Sequence, residues 1–108
     1  MNSRDKGKRG ERELAKVLSG YGFNCRRGQQ YSGANGDADV VGLWGVHIEC
    51  KRVERLNIYD AIKQATDDAR DGDRPVVMHR KNNQDWLVTM PMKDWIALYR
   101  TWFEVWND

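Results

Sequence analysis

Residues 38–51 constrain the fold more than any other stretch of the chain. Ala38-Asp39-Val40-Val41-Gly42-Leu43 has the pattern of one strand and Trp44-Gly45 that of a turn. Val46-His47-Ile48-Glu49-Cys50-Lys51 then alternates strictly, with Val46, Ile48 and Cys50 on one face and His47, Glu49 and Lys51 on the other. The flanking sequence supplies the other elements. A helix is predicted from about Lys6 to Tyr21, with Leu14, Ala15, Val17, Leu18 and Tyr21 at helical spacing and Gly20 and Gly22 closing it. Phe23 to Arg27 reads as a short strand, and Gly28 to Gly36 as a polar, glycine-rich surface loop. Ile58, Ala61, Ile62, Ala65 and Ala69 mark a second helix ending near Gly72. Strands Val76–His79 and Trp86–Thr89 flank a turn at residues 81–84, and Pro91 opens a last helix. The order α-β-β-β-α-β-β-α specifies an α/β fold, a mixed sheet with flanking helices.

A length of 108 residues leaves room for one domain, residues 1–108, around one core. The net charge of +2 conceals an asymmetry: eight cations oppose three acids in residues 1–30, while acids outnumber cations in the rest. A basic front end points to a polyanionic partner. No apolar run approaches a membrane span, and MNSRDKGKRGERE has no signal-peptide core, so no membrane partner is expected. Cys25 and Cys50 fall within predicted strands, without CxxC spacing or a nearby histidine pair. They read as buried free thiols of a reducing compartment, which places the chain in the cytoplasm.

Three features break local expectation. Glu11 shares a helix face with Leu14, Ala15 and Leu18, whereas Arg12 and Glu13 point away. A carboxylate on that face needs a cation beside it, unless it sits at the frayed, solvated end of the stripe. Asp39 opens an apolar strand, where aspartate is disfavoured; Asp37 suits an ordinary loop cap. Glu49 and Lys51 project side by side from one strand face, an arrangement that alone is common on exposed strands. Together these residues make a cluster of carboxylates with one lysine. Hard oxygen donors at that density suit Mg²⁺ or Mn²⁺, and a lysine beside them can orient an attacking water. The pattern fits metal-dependent phosphodiester hydrolysis.

The sequence resembles the PD-(D/E)xK nuclease superfamily, and within it the small archaeal-type Holliday junction resolvases and their phage relatives. The likeness rests on Lys6-Gly7-x-x-Gly10-Glu11-Arg12-Glu13-Leu14, Gly22-Phe23, Asp39-Val40-Val41 and Ile48-Glu49-Cys50-Lys51, and covers roughly the first half of the chain. It implies a restriction-endonuclease-like core of α-β-β-β-α-β order, extended here by one strand and a C-terminal helix. It further implies that Glu11, Asp39 and Glu49 hold Mg²⁺ or Mn²⁺ together with the Cys50 backbone carbonyl, that Lys51 is the catalytic lysine, and that no organic cofactor is used. Arg27 matches the position of a DNA-contacting residue. Gln64, on the helix after the motif, matches a glutamine that faces the site in related nucleases; a solvated helix position fits it equally well. Ala38 replaces the proline of the motif, the loop Gly28–Gly36 is longer than in the compact resolvases, and the hairpin from Asp39 to Glu49 is shorter. Junction preference is therefore open between branched and ordinary double-stranded DNA.

Lys6, Lys8, Arg9, Arg12, Arg26, Arg27, Arg52 and Arg55, with Lys51, form the expected DNA-contacting set, with Tyr31 and Ser32 as loop candidates. In the last helix Trp95, Leu98, Tyr99, Trp102 and Trp106 follow helical spacing. Core packing is the default expectation for that face. A homodimer interface is the alternative, and the resolvases it resembles are dimers. His47 and His79 read as ordinary strand histidines, although His47 shares a face with Glu49. The functional expectation is a metal-dependent DNA endonuclease of the resolvase type; the alternative is a catalytically inactive DNA-binding or structural protein on the same fold.

Overall fold

The computed structural model describes residues 3–29 and 38–107, with side chains from Lys6 onward. Tyr31, Ser32, Asp37 and most of the glycine-rich loop lie outside the described residues. The elements run α1 (Ser3–Gly20), β1 (Arg26–Arg27), β2 (Val40–Val41), β3 (Val46–Arg52), α2 (Ile58–Asp68), β4 (Arg74–Arg80), β5 (Leu87–Thr89) and α3 (Met92–Trp106). The five strands lie in the sheet in chain order. β1, β2 and β3 pair antiparallel, β4 joins β3 in parallel, and β5 closes the far edge antiparallel to β4. This is the mixed α/β sheet expected.

A parallel neighbour needs a crossover, and α2 supplies it. β3 and β4 are thereby covered on both faces, so their interiors tolerate apolar residues on each. On one face Leu14 and Ala15 of α1 pack over Cys25, Val40, Ile48, Val76 and Met78. On the other, Ala61 and Ala65 of α2 lie against Val77, with Leu56, Ile58 and Ile62 around them. The Asn57 side chain starts α2 by accepting a hydrogen bond from the Asp60 N–H (3.2 Å). Two close approaches demand glycine. A Cβ on Gly10 would stand 2.6 Å from the Cβ of Arg52, so this glycine sets how closely α1 approaches β3. Gly42 has φ +125° and its Cβ would strike the Asn24 carbonyl at 2.3 Å.

The structure corrects several expectations. The segments 23–27 and 38–43 contract to two-residue strands, because Gly42 takes a conformation outside the strand region and Phe23 is exposed. Cys25 therefore precedes β1 and Asp39 precedes β2; both cysteines are free thiols, as expected. The larger correction concerns α3. Asp94 is its one buried residue, and Trp95, Leu98, Tyr99, Trp102, Phe103 and Trp106 are all exposed. Both faces of the sheet are already covered by α1 and α2, so α3 runs beyond them. Its rings stack on one another instead, Trp95 on Tyr99 at 5.2 Å and Tyr99, Trp102 and Trp106 in series. Its first turn is anchored by Arg74 Nη1 donating to Asp94 Oδ1 (2.9 Å). No helix among the described residues is long and apolar enough to cross a membrane.

Candidate active site

Asp39 is tied to β3 twice. Its backbone N–H donates to the Ile48 carbonyl (3.0 Å), and its Oδ2 accepts from the Cys50 N–H (2.8 Å). The aspartate thereby continues the β2–β3 pairing with its own side chain, which explains an acid at the mouth of an apolar strand. The second bond also brings its carboxyl beside Glu49, so that the Asp39 charge bears on that of Glu49. Glu49 is only 4% exposed. Burial, then the adjacent Asp39 charge, pushes its carboxyl up to about 7, against the opposing pull of Lys51. A cation beside the two carboxyl groups would offset the charge that crowds them together.

Lys51 reaches the same point from one pleat further along β3. Its Nζ stands 3.6 Å from Glu49 Oε1 and donates to Gln64 Oε1 of α2 (3.1 Å). The glutamine thus fixes the ammonium from the neighbouring helix. Glu11 stands on the opposite side of the sheet from α2, where its Oε1 accepts from Arg27 Nε (3.0 Å). Burial raises the Glu11 carboxyl, the Arg27 hydrogen bond opposes this, and the charge of Asp39 adds to the rise. Asp39, Glu49 and Lys51 are therefore brought together directly. Glu11 is joined to them electrostatically and held by an arginine. Cys50 lies between the two catalytic candidates, with its thiol driven upward by burial and inert as a nucleophile.

Among the described residues no three His, Cys, Asp or Glu side chains converge as a ready-made ligand set. The donor chemistry nevertheless fits a hard divalent ion. Mg²⁺ uses one or two carboxylates and keeps much of its water, and here the Asp39 and Glu49 carboxyl groups lie side by side. Asp39, Glu49 and the Cys50 carbonyl are the oxygens that would hold it.

The cationic candidates divide between the two flanks of α1. Arg27 lies on the Glu11 flank. On the other, Arg52 Nε donates to Glu13 Oε2 (2.9 Å), its Nη2 donates to Asn82 Oδ1 (3.0 Å), and Arg80 donates to Glu13 Oε1. Lys6, Arg9, Gly10, Glu13, Arg52 and Asn82 line a cavity of about 610 Å³ there. Arg52 therefore faces away from Lys51, as the alternation of β3 requires. Arg12, Arg26 and Arg55 are exposed, and Lys8 is half-buried. Sequence reading missed Arg80 and the anchoring role of Glu13, because 67 residues separate the partners and no local pattern links them. His47, which shares the Glu49 face, is buried, with Nε2 4.0 Å from Glu49 Oε2.

Comparison with known proteins agrees with this geometry. A solved structure of Archaeoglobus fulgidus Hjc, a Holliday junction resolvase from an archaeal hyperthermophile, superposes with a TM-score of 0.58. It is 26% identical in sequence and the match covers 79% of this chain and 72% of that one. None of the curated proteins matches. The family described as "Phage putative PDDEXK endonuclease" matches residues 2–105, nearly the whole chain. With its restriction-endonuclease-like α/β core and this family match, the chain is resolvase-like in fold and belongs to the phage PDDEXK endonuclease family.

Proposed function

We propose that this nuclease hydrolyses DNA phosphodiester bonds with Mg²⁺ or Mn²⁺, and that branched DNA such as a four-way junction is its preferred substrate. The observation that carries the reading is the Lys51 ammonium 3.6 Å from Glu49, beside an Asp39 carboxyl bonded to the Cys50 N–H of the same strand. Asp39, Glu49 and the Cys50 carbonyl hold the ion, and Glu11 adds negative charge from the α1 side. When bound, a divalent ion lowers the pKa of its water and offsets charge on the scissile phosphate. Lys51, steadied by Gln64, orients the attacking water and faces the phosphate as its charge develops. Arg27 is released from Glu11 to a DNA phosphate, and Lys6, Lys8, Arg9, Arg12, Arg26, Arg52 and Arg55 add salt-sensitive backbone contacts. The preference for a junction rests on the likeness to the resolvase.

A second copy of the chain is the partner we assign to α3. Five exposed aromatic rings in one contiguous stack present on the order of 600 Å². A standard interface buries about 800 Å² per partner, so the patch is of the size that a dimer needs. Sedimentation across a concentration series should find a dimer that Trp102→Glu dissociates.

The deciding experiment incubates the protein with Mn²⁺ and junction, flap and linear duplex DNA of matched sequence. Metal-dependent cleavage fastest on the junction is expected. Metal-dependent cleavage that does not favour the junction would remove the substrate preference. Binding of DNA without cleavage of any substrate would leave the inactive DNA-binding alternative in its place.

A further inference from the structure

His47 is the residue of the β3 site face that the nuclease chemistry does not use. Its side chain is 7% exposed, and Nε2 has no hydrogen-bond partner among the described residues. Buried polar nitrogens are rarely left in that condition, because losing water without a replacement partner is costly. The nitrogen is not distant from an acceptor. It stands 4.0 Å from Glu49 Oε2, while Lys51 stands 3.6 Å from the other oxygen, Oε1. Glu49 is thus bracketed by two potential donors, one at each oxygen, and neither has closed to full contact.

A carboxylate that holds a divalent ion has its oxygens fixed in direction, and hydrogen bonds to such a charged acceptor are shorter and stronger than neutral ones. Closing from 4.0 Å to about 2.9 Å takes roughly one ångström of side-chain rotation.

We propose that His47 is a positioning residue for Glu49, its Nε2–H donating to Glu49 Oε2 as that carboxylate holds a divalent ion. The inference rests on the metal-dependent reading above. The facing Glu49 oxygen selects the ring form that carries its N–H on Nε2. Outer partners of this kind orient a ligand and raise its affinity for the ion, and their removal typically weakens binding 10- to 100-fold.

Mn²⁺ titration calorimetry on the DNA-free protein tests this apart from cleavage. His47→Phe, which keeps a ring and loses the donor, is expected to weaken Mn²⁺ binding by about 10- to 100-fold. His47→Gln, which restores an N–H at similar reach, is expected to recover most of the affinity. A purely structural histidine would instead lower the thermal midpoint of the metal-free protein and leave Mn²⁺ affinity unchanged, and that result overturns the proposal. Wild-type protein gives an independent reading should the Phe variant not fold. On adding Mg²⁺, the ¹⁵N spectrum of His47 should show a protonated, slowly exchanging Nε2; an unchanged spectrum in metal-saturated protein overturns it equally. Absence of any Mn²⁺ binding by wild type would remove the metal-dependent reading itself, which distinguishes the two failures.

Discussion

Helices α1 and α3 carry apolar stripes at the same spacing and meet opposite fates. Leu14 of α1 is 1% exposed beneath the sheet, whereas Trp102 of α3 is 57% exposed beyond it. The difference is not in the helices, since α3 has the larger and more aromatic stripe. It lies in what each finds opposite. α1 meets Val40, Ile48, Val76 and Met78 on an open sheet face, and α3 begins after both faces have been covered. Periodicity reports which side of a helix needs a partner; the rest of the fold decides whether that partner is within the same chain.

The contrast can be broken or sharpened experimentally. The largest expected effect is catalytic and belongs to the sheet that α1 and α2 cover: Lys51→Ala should lower cleavage by roughly a thousandfold with the thermal midpoint unchanged. A parallel collapse of the fold in the circular dichroism melt would assign Lys51 a structural role instead. Next comes packing. Leu14→Ala should destabilise by about 2–5 kcal/mol, while Trp102→Ala in dilute protein should cost about 0.5 kcal/mol or less. Equal losses in urea titrations would mean that α3 is as integral to the monomer as α1.

The pH response has a sign that the burial of Glu49 determines. Its folded pKa of about 7 lies above the ordinary 4.5, so its contribution to metal-free stability is fully present below pH 4.5 and is lost as pH rises through 7. In EDTA, wild type should therefore lose stability relative to Glu49→Gln across that window, and Mg²⁺ should reverse the loss. Parallel pH curves for the two proteins would contradict this. The smallest effect belongs to the anchor on the far flank of α1: Glu13→Gln should cost about 1 kcal/mol, because the arginines it holds are partly solvated and screened. A cost several times larger in the same titrations would mean that the Glu13 cluster holds α1 in place.

Much of the site half was legible in the chain itself. Alternation through residues 46–51 placed Glu49 and Lys51 together, and an aspartate at the mouth of an apolar strand marked Asp39, because those patterns are local and a strand face follows from parity alone. What escaped were relations across the sheet. The Glu13–Arg80 contact joins residues far apart in sequence, and the Lys51–Gln64 bond depends on how α2 returns over β3. The burial of His47 depends on the same packing: the polar side of an alternating strand reads as solvent-facing until a second layer is known to cover it. The exposure of α3 was hidden for the converse reason, since a stripe built from tryptophan looks like core wherever it occurs.

The double attachment of Asp39 to β3 bears on how this site ages and fails. Its main chain and its carboxyl are both stitched to the backbone of the strand that carries Glu49, so the spacing of the two acids is a property of the sheet and not of a loop. Heat or denaturant would then remove the reaction geometry in one step with the ladder, without a preceding loosened state. Activity and the slow amide protons of Ile48 and Cys50 should disappear together, and improving one by engineering should carry the other with it.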